Sequence, residues 1–231
     1  MPQDSATGKE THSLYRAHPW HGVSIGEKSP NTVNCYIEIV PTDTVKYELD
    51  KASGILCIDR PQRYSSCCPA LYGLIPQTYC NSRVAEFCAE KLGTPKTKIK
   101  GDGDPLDICV FSDRTIVHGD LLIKAVPIGG FRTLDGDEVD DKIIAVLQSD
   151  LVYGEIKDVS QCPRHLIERL RHYFLTYKDC PGDSAPKKIR ITDTYGADEA
   201  HEVIRRAYLD YKESYKAYYD GLAKTQVRLQ K

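Results

Sequence analysis

Residues 101–107 read G-D-G-D-P-L-D, which places three carboxylates within six residues, separated by glycine and proline. The glycines reach backbone conformations closed to other residues, and Pro105 fixes its own φ and pushes Asp104 towards an extended conformation. In an extended run Asp102 and Asp104 point to the same side, and a bend at Pro105 can return Asp107 to that side. Because three carboxylates this close repel one another, we expect the fold to place a cation among them.

This acidic segment has two interpretations. Oxygen ligands at such density suit Mg²⁺, Mn²⁺ or Ca²⁺ better than soft metals. The alternative is a solvated acidic turn before a strand, because Asp and Gly are ordinary turn residues. The D-x-D-x-x-D spacing does not match the twelve-residue EF-hand loop, and the chain has no P-loop or Rossmann glycine pattern. Simple calcium buffering is therefore disfavoured.

Length and composition set the broad class of the protein. The 231 residues suffice for one well-packed domain, and 31 basic against 33 acidic residues argue against a nucleic-acid binder. No apolar run approaches the ~18 residues needed to cross a bilayer, and residues 1–10 lack the apolar core of a secretory signal. Nine cysteines without CxxC spacing favour reduced thiols over disulfides or a zinc site. We expect a cytoplasmic protein without a membrane or nucleic-acid partner.

The order of predicted elements indicates the fold class. β-branched, aromatic and alternating segments predict strands at residues 34–40, 45–49, 55–59, 106–111, 121–127, 142–147 and 188–192. Turns rich in Asp and Gly are predicted to join the strands at 106–111, 121–127 and 142–147. Residues 60–77 are predicted to be irregular. Helical spacing predicts two main helices, at 163–177 and 197–219, and a short one near 83–91. Strands followed by helices are typical of an α+β domain, here a small, mostly antiparallel barrel or sheet with helices outside.

The domain organisation follows from the same elements. We expect an N-terminal arm at residues 1–30 and a single domain over residues 31–231, with an insertion at about 78–100. The insertion precedes the acidic segment, so a lid, an oligomer contact and a passive surface segment are all open interpretations.

A second set of charged residues is spread along the chain. A hairpin predicted from the strands at 45–49 and 55–59 with a turn at 50–54, the acidic turn at 135–142 and the end of the first main helix contribute to it. Separately, these residues have ordinary explanations as a charge pair, a hairpin tip and a helix-end cation. Together they offer carboxylates for divalent cations and Lys or Arg for anionic oxygens, which describes a site for a metal–phosphate complex. The members are Glu38, Lys46, Glu48, Arg60, Asp135, Asp140, Lys142 and Lys178, with the uncharged Tyr177 beside Lys178.

The acidic segment resembles the D-G-D-P-[apolar]-D motif of the family I soluble inorganic pyrophosphatases. The resemblance covers roughly residues 33–180 in the family's order, and the N-terminal sequence and the insertion most resemble the chlamydial branch. Further matching segments are Tyr36-Ile37-Glu38-Ile39, Lys46-Tyr47-Glu48, Ser53-Gly54 with Asp59-Arg60, Tyr72-Gly73, Asp135, Asp140 with Lys142, and Tyr177-Lys178-Asp179.

The resemblance implies an OB-type, mostly antiparallel β-barrel flanked by two main α-helices. It also implies hydrolysis of inorganic pyrophosphate to two orthophosphates by a metal-activated water, with several Mg²⁺ ions that Mn²⁺ or other divalent ions can replace. By position, Asp102, Asp107 and Asp140 match the family's principal metal ligands, and Asp135 matches a ligand of an additional ion. Asp104 matches the carboxylate that helps deprotonate the water.

The substrate contacts also follow from the resemblance. Lys46, Arg60, Tyr72, Tyr177 and Lys178 match groups that hold the phosphates, and Lys142 matches another active-site cation. Glu38 and Glu48 match acids that act through ordered water or by orienting the cations. A homo-oligomer, hexameric or smaller, is implied as well.

The chain departs from the family's pattern at two positions. Cys68 stands where many members have tyrosine, and Gly136 stands where several have an acid, a place that Asp137 or Glu138 could fill. These departures leave open a degenerate pyrophosphatase that binds nucleotides or phosphate as a sensor. The implied barrel leaves open a second alternative, an OB-fold module for nucleic acid, because that barrel often binds oligonucleotides. A groove for nucleic acid needs a basic surface, which the cluster of carboxylates does not provide.

Overall fold

The computed structural model describes residues 16–179 and 189–216. The strands of this part are β1 Val33–Ile39, β2 Val45–Leu49, β3 Leu56–Pro61, β4 Leu71–Leu74, β5 Lys100–Gly101, β6 Asp107–Phe111, β7 Leu121–Asp135, β8 Glu138–Val139, β9 Lys142–Leu147 and β10 Ile189–Gly196. Its α-helices are α1 Ser82–Lys91, α2 Arg164–Thr176 and α3 Ala197–Ser214.

Five of the strands close a barrel. The order β1–β4–β6–β9–β7 returns to β1, because β1 pairs with both β4 and β7. The pairs are antiparallel except β6–β9, which is parallel. Strands β2 and β3 form a separate hairpin. The predicted α+β class with an OB-type, mostly antiparallel barrel is confirmed.

The longest strand, β7, differs from its prediction. It was expected to end at residue 127, but it continues to Asp135 and pairs with β10 and β8 beyond the barrel. A register shift between Pro127 and Gly129 bends it there. Gly129 and Gly130, which suggest a turn in the sequence, lie under Tyr195 of β10, where a Cβ atom would collide with that residue. The glycines therefore permit close strand approach rather than a turn.

Other differences are local. Residues 60–77 are not entirely irregular, because β4 lies among them; a four-residue strand gives too short a pattern for detection. The main helices agree with their predictions within a few residues at the ends that the structure describes, whereas residues 217–219 and Lys188 lie outside the described residues. Helix α1 agrees with the predicted short helix, so the described part has the two predicted main helices and this short one around the barrel.

The helices cover the barrel through apolar faces with helical spacing. Helix α3 buries Ala200, Val203, Ile204 and Ala207 in the larger core cluster. Helix α2 buries Ile167, Leu170, Tyr173 and Phe174 in the second cluster, together with barrel residues. Both helices are therefore held by burial of apolar surface.

Residues 81–91 of the predicted insertion are joined to the core. Helix α1 buries Val84, Phe87 and Cys88 in the same cluster as α3. Its N-terminus is capped by Asp210 of α3, a 1% exposed carboxylate that accepts from the backbone amides of residues 81, 83 and 84 at 3.1–3.3 Å. The carboxylate also accepts from the Arg83 guanidinium at 3.0 Å. The position of residues 81–91 is therefore fixed by their contacts with α3.

Trp20 fastens the N-terminal segment. Its ring is 3% exposed and belongs to a cluster with Tyr36, Leu49 and Tyr211. Its indole donates to the carbonyl of Thr78 at 2.8 Å. None of the helices in the described ranges has the length and apolar content of a membrane-spanning segment.

Replacing Leu170 by alanine should lower the free energy of unfolding by about 2–5 kcal/mol, because the side chain is 0% exposed and its removal leaves a cavity. The matched control is Leu151→Ala, at a leucine that is 97% exposed, which should change stability by less than about 0.5 kcal/mol. Urea unfolding of both variants measures this. Equal losses would contradict the described packing of α2.

Candidate active site

All thirteen predicted site residues line one cavity of about 370 Å³. It lies where one end of the barrel meets the β2–β3 hairpin and the C-terminal end of α2. The thirteen are Glu38, Lys46, Glu48, Arg60, Tyr72, Asp102, Asp104, Asp107, Asp135, Asp140, Lys142, Tyr177 and Lys178. Residues that are far apart in sequence thus share one space.

The cavity carries an excess of negative charge. Among the described residues, nine acidic and five basic side chains line it; Asp59, Glu138 and Lys51 are the charged ones absent from the predicted set. Fixed charges of one sign in a confined space raise one another's energy. A cavity with this set of side chains therefore favours the binding of further cations.

Strand pairing creates the centre of the site. The parallel register of β6 and β9 sets Asp107 opposite Lys142, whose buried ammonium donates to both Asp107 and Asp140. Burial alone would lower the pKa of Lys142, but the two carboxylates raise it well above its ordinary value. Tyr72, on the neighbouring strand β4, donates its hydroxyl to Asp107 at 2.6 Å. Asp107 is therefore bonded by two donors on adjacent strands.

The acidic segment turns rather than running extended. Gly103 has φ +76°, and the amide of Asp104 donates to Asp102 Oδ1 at 3.0 Å. The segment is also bonded to the start of the insertion, because the amide of Cys80 donates to the carbonyl of Asp104 at 2.8 Å. A Cβ on Gly101 would collide with the carbonyl of Cys80, so the two chains approach closely. Burial, and next the charge of Asp140, raises the pKa of Asp102 to about 8.

The β2–β3 hairpin contributes cations held by a carboxylate that the sequence reasoning did not assign. Lys46 lies opposite Arg60, and its ammonium donates to Glu48 at 2.8 Å and to Asp59 at 2.7 Å. Arg60 donates to the same Asp59 at 2.6 Å. Asp59 precedes Arg60 in the matching segment, which was the available signal. It fixes both cations in the cavity wall.

Glu38 joins the barrel to the hairpin. It is 6% exposed and accepts from the backbone amide of Leu49 at 2.7 Å. Burial raises the pKa of Glu38 to about 8, although the Leu49 amide opposes the shift. The carboxyl is therefore a buried acceptor at the hairpin base.

The opposite wall is formed at the end of α2. Tyr177 follows the helix and is 8% exposed, and the guanidinium carbon of Arg60 lies 5.9 Å from its ring centroid. Lys178 donates to Asp135, the last residue of β7, at 2.9 Å. The hairpin, β7 and α2 thus meet through charged and aromatic contacts.

Lys51 is a second charged residue that sequence reasoning missed. It lies in the β2–β3 turn and donates to Asp104 across the cavity. Its sequence signal was weak because a lysine in D-K-A-S-G is expected of a solvated turn. A Cβ on Gly54 of this turn would lie 2.7 Å from Cδ2 of His18, too close for a normal contact, so the N-terminal segment packs directly against the turn.

The two departures from the family's pattern lie in different settings. Cys68 is buried in the second core cluster and does not line the cavity. Gly136 has φ +68° at the β7–β8 turn, a conformation that favours glycine. Glu138 lines the cavity, whereas Asp137 lies near the exposed Lys100, with 3.7 Å between carboxylate and ammonium.

The donor set fits hard divalent cations. Asp102, Asp107, Asp135 and Asp140 offer oxygen ligands, and ammonium groups contact three of them, Lys142 at Asp107 and Asp140 and Lys178 at Asp135. Over residues 16–179 and 189–216, no three His, Cys, Asp or Glu groups are gathered closely enough to form a ready-made metal centre. The lysines occupy positions where a cation is electrostatically favoured. Binding of a metal ion by these carboxylates would therefore require the ammonium groups to move.

The closed OB-type barrel and its carboxylate-rich, cation-walled cavity agree with the expected class, hydrolases that act on phosphoric anhydrides. The inorganic pyrophosphatase family profile matches residues 35–212. An inorganic pyrophosphatase of Chlamydia trachomatis serovar D is 52% identical over 198 residues, 84% of this chain and 94% of that protein. The soluble inorganic pyrophosphatase 2 of Chlamydomonas reinhardtii is 36% identical, covering 88% and 94%.

Solved structures agree with this likeness. The crystal structure of inorganic pyrophosphatase from Thermus thermophilus superposes with a TM-score of 0.70 at 25% identity, covering 85% of this chain and 99% of that one. The chain belongs to the inorganic pyrophosphatase family, in its family I, chlamydial-like branch, and its class is that of hydrolases acting on pyrophosphate with a divalent metal cofactor.

Glu38 should make the metal-free protein less stable as pH rises. Its folded pKa of about 8 exceeds its unfolded value, so the folded state holds the extra proton between about pH 4.5 and 8, and stability falls across that window. Glu38→Gln removes this dependence, so its free energy of unfolding should fall less between pH 5 and pH 9 than that of the unaltered protein. Urea unfolding with chelator present measures both slopes. Parallel profiles would contradict the burial of an ionisable Glu38.

Proposed function

We propose that this protein hydrolyses inorganic pyrophosphate to two orthophosphates in an Mg²⁺-dependent reaction. The observation that carries the proposal is the convergence of Asp102, Asp107 and Asp140 with Lys46 and Arg60 on one cavity. Carboxylates and cations in one space match a divalent ion bound together with a multiply charged phosphate.

The metal ligands proposed are Asp102, Asp107 and Asp140, with Asp135 for an additional ion that accompanies the substrate. When bound, Mg²⁺ supplies a lowered water pKa and neutralises charge on phosphate oxygens. Mn²⁺ or another divalent ion would substitute for Mg²⁺, because the ligands are all hard oxygens that suit these ions as well.

The phosphates would be held by the cavity wall. Lys46 and Arg60, fixed by Asp59, would contact one phosphate, and Tyr177 and Lys178 at the end of α2 would contact the other. Tyr72 and Lys142 lie between the walls, beside Asp107. Donors fixed in advance stabilise the charge that develops on the departing phosphate.

Asp104 is proposed to accept the proton of the attacking water. Its carboxylate faces the cavity and is contacted by Lys51, which keeps it directed across the site. Glu38 and Glu48 would support the reaction by orienting the hairpin, since Glu38 bonds the Leu49 amide and Glu48 bonds Lys46.

The wider setting of the protein is part of the same proposal. We infer a single catalytic domain over residues 31–231 preceded by an arm at residues 1–30, a cytoplasmic location and a homo-oligomer, hexameric or smaller. The nine carboxylates of the cavity speak against binding of nucleic acid at this end of the barrel.

Phosphate release from pyrophosphate should require Mg²⁺, stop on addition of chelator, and fall about 10²–10⁴-fold in Asp104→Asn, because the amide cannot accept the proton. The matched control is Asp113→Asn, at a carboxylate outside the cavity, which should keep the original rate. Release from ATP but not from pyrophosphate would refute the proposed substrate.

Arg60→Ala should lower kcat by about 10²–10³, equivalent to about 2.7–4 kcal/mol of transition-state stabilisation, while the fold persists. Arg114→Ala is the control, because the Arg114 side chain is 91% exposed and lies away from the cavity. Steady-state phosphate release with circular dichroism tests both. A near-original rate in Arg60→Ala would refute the role assigned to Arg60.

A further inference from the structure

We infer that Tyr195 is a positioning residue for the segment that carries Asp140 and Lys142. The inference rests on the proposed function of these two residues. It concerns the side of the segment that faces away from the cavity, where Asp141 lies between them in sequence.

Asp141 is held from behind the site. Consecutive residues of an extended chain point to opposite sides, and accordingly Asp140 and Lys142 line the cavity whereas Asp141 does not. Asp141 is 2% exposed, and its two carboxylate oxygens accept from different donors. Oδ2 accepts from the Tyr195 hydroxyl at 2.9 Å, and Oδ1 accepts from the backbone amide of Thr133 at 3.2 Å.

Thr133 ties this contact to the metal-ligand segment. The carbonyl of Thr133 accepts from the amide of Asp140 at 2.9 Å, while its amide donates to Asp141. Residues 140 and 141 are thus clamped to one residue of β7. A shift of the Asp141 side chain would therefore move the backbone at residue 140 and change the direction of the Asp140 side chain.

Tyr195 can reach Asp141 only because its neighbour on β7 is glycine. In the β7–β10 register, Tyr195 lies opposite Gly130. A Cβ on Gly130 would lie 2.5 Å from Cε2, Cζ and the hydroxyl of Tyr195. The missing side chain therefore makes the space through which the phenol crosses β7.

Arg132 holds the ring in that space. Its guanidinium carbon lies 5.0 Å from the Tyr195 ring centroid, and its side chain is 2% exposed. The guanidinium donates to Glu199 of α3, and Glu199 also accepts from Lys91 of α1 at 2.7 Å. The contact behind the site is therefore connected to both helices on that side of the sheet.

Tyr195→Phe tests the inference, because it removes only the hydroxyl. The dissociation constant for Mn²⁺, titrated without substrate and followed by electron paramagnetic resonance, should rise about 10-fold, the lower end for outer contacts of metal sites. The Mg²⁺ concentration for half-maximal hydrolysis should rise by the same factor, and kcat at saturating Mg²⁺ should stay near its original value.

Tyr36→Phe is the matched control. Tyr36 is 3% exposed and donates its hydroxyl to a carboxylate, Asp120, at 2.7 Å, but it does not line the cavity. It should lower thermal stability without changing Mn²⁺ affinity. Unchanged Mn²⁺ affinity in Tyr195→Phe, with a similar loss of stability, would show a purely structural role and overturn the inference. Absence of Mn²⁺ binding and of pyrophosphate hydrolysis in the unaltered protein would instead overturn the proposed function, and the inference with it.

Gly130→Ala provides a second variant, because the added methyl group displaces the phenol. It should weaken Mn²⁺ binding. The double variant Gly130→Ala with Tyr195→Phe should bind Mn²⁺ as tightly as Gly130→Ala alone, because both changes act on the same contact. Independent, additive losses would contradict the shared contact. If the variants do not fold, amide exchange of the unaltered protein decides: the Asp140 amide, which donates to Thr133, should be protected like the barrel strands, and exchange as fast as at residues 136–137 would overturn the inference.

Discussion

The buried ammonium of Lys142 between Asp107 and Asp140 is the interaction on which barrel and site both depend. It joins the parallel pair that the barrel contains to the segment just before β9. Removing charges from water is costly, and an unpaired buried carboxylate is costlier still. The same lysine therefore permits two carboxylates to lie at the barrel end, where a divalent ion can compete for them.

The origin of the charges divides the site into two parts. Most of the carboxylates come from the barrel and its short connections, as in Asp107 of β6 and Asp135 of β7. Most of the cations come from elements attached to the barrel, such as Lys46 and Arg60 on the hairpin and Lys178 after α2. In the proposed function, metal and phosphate would consequently be bound by different structural layers, which meet in the cavity.

Sequence patterns predicted the elements whose residues carry a clear local signal. The hairpin strand β2 alternates apolar and polar residues, β9 is rich in apolar and β-branched residues, and α2 and α3 have helical spacing, so their described ends were predicted within a few residues. The patterns failed where tertiary contact overrides local preference. Gly129 and Gly130 suggested a turn because their reason for being glycine, the Tyr195 ring, lies more than sixty residues away. The four residues of β4 were too few for a period.

The site was predictable for a different reason. Its members were identified by resemblance to a family motif, and composition alone left a solvated turn as an alternative for the acidic segment. Asp59 and Lys51 were not assigned because a charge beside another charge, or in a turn, has an ordinary explanation. Only their contacts with Lys46, Arg60 and Asp104 show that they belong to the cavity.

The length of β7 has a consequence for how the molecule can open. This one strand of fifteen residues pairs with β1, β9, β8 and β10 and ends at Asp135 in the cavity. Separating any one of these partner strands exposes backbone hydrogen-bonding groups of β7, the strand that the other partners also pair with. Local unfolding at the cavity is therefore coupled to unfolding of the barrel. The structure of the cavity and that of the barrel should be lost together in a single cooperative transition.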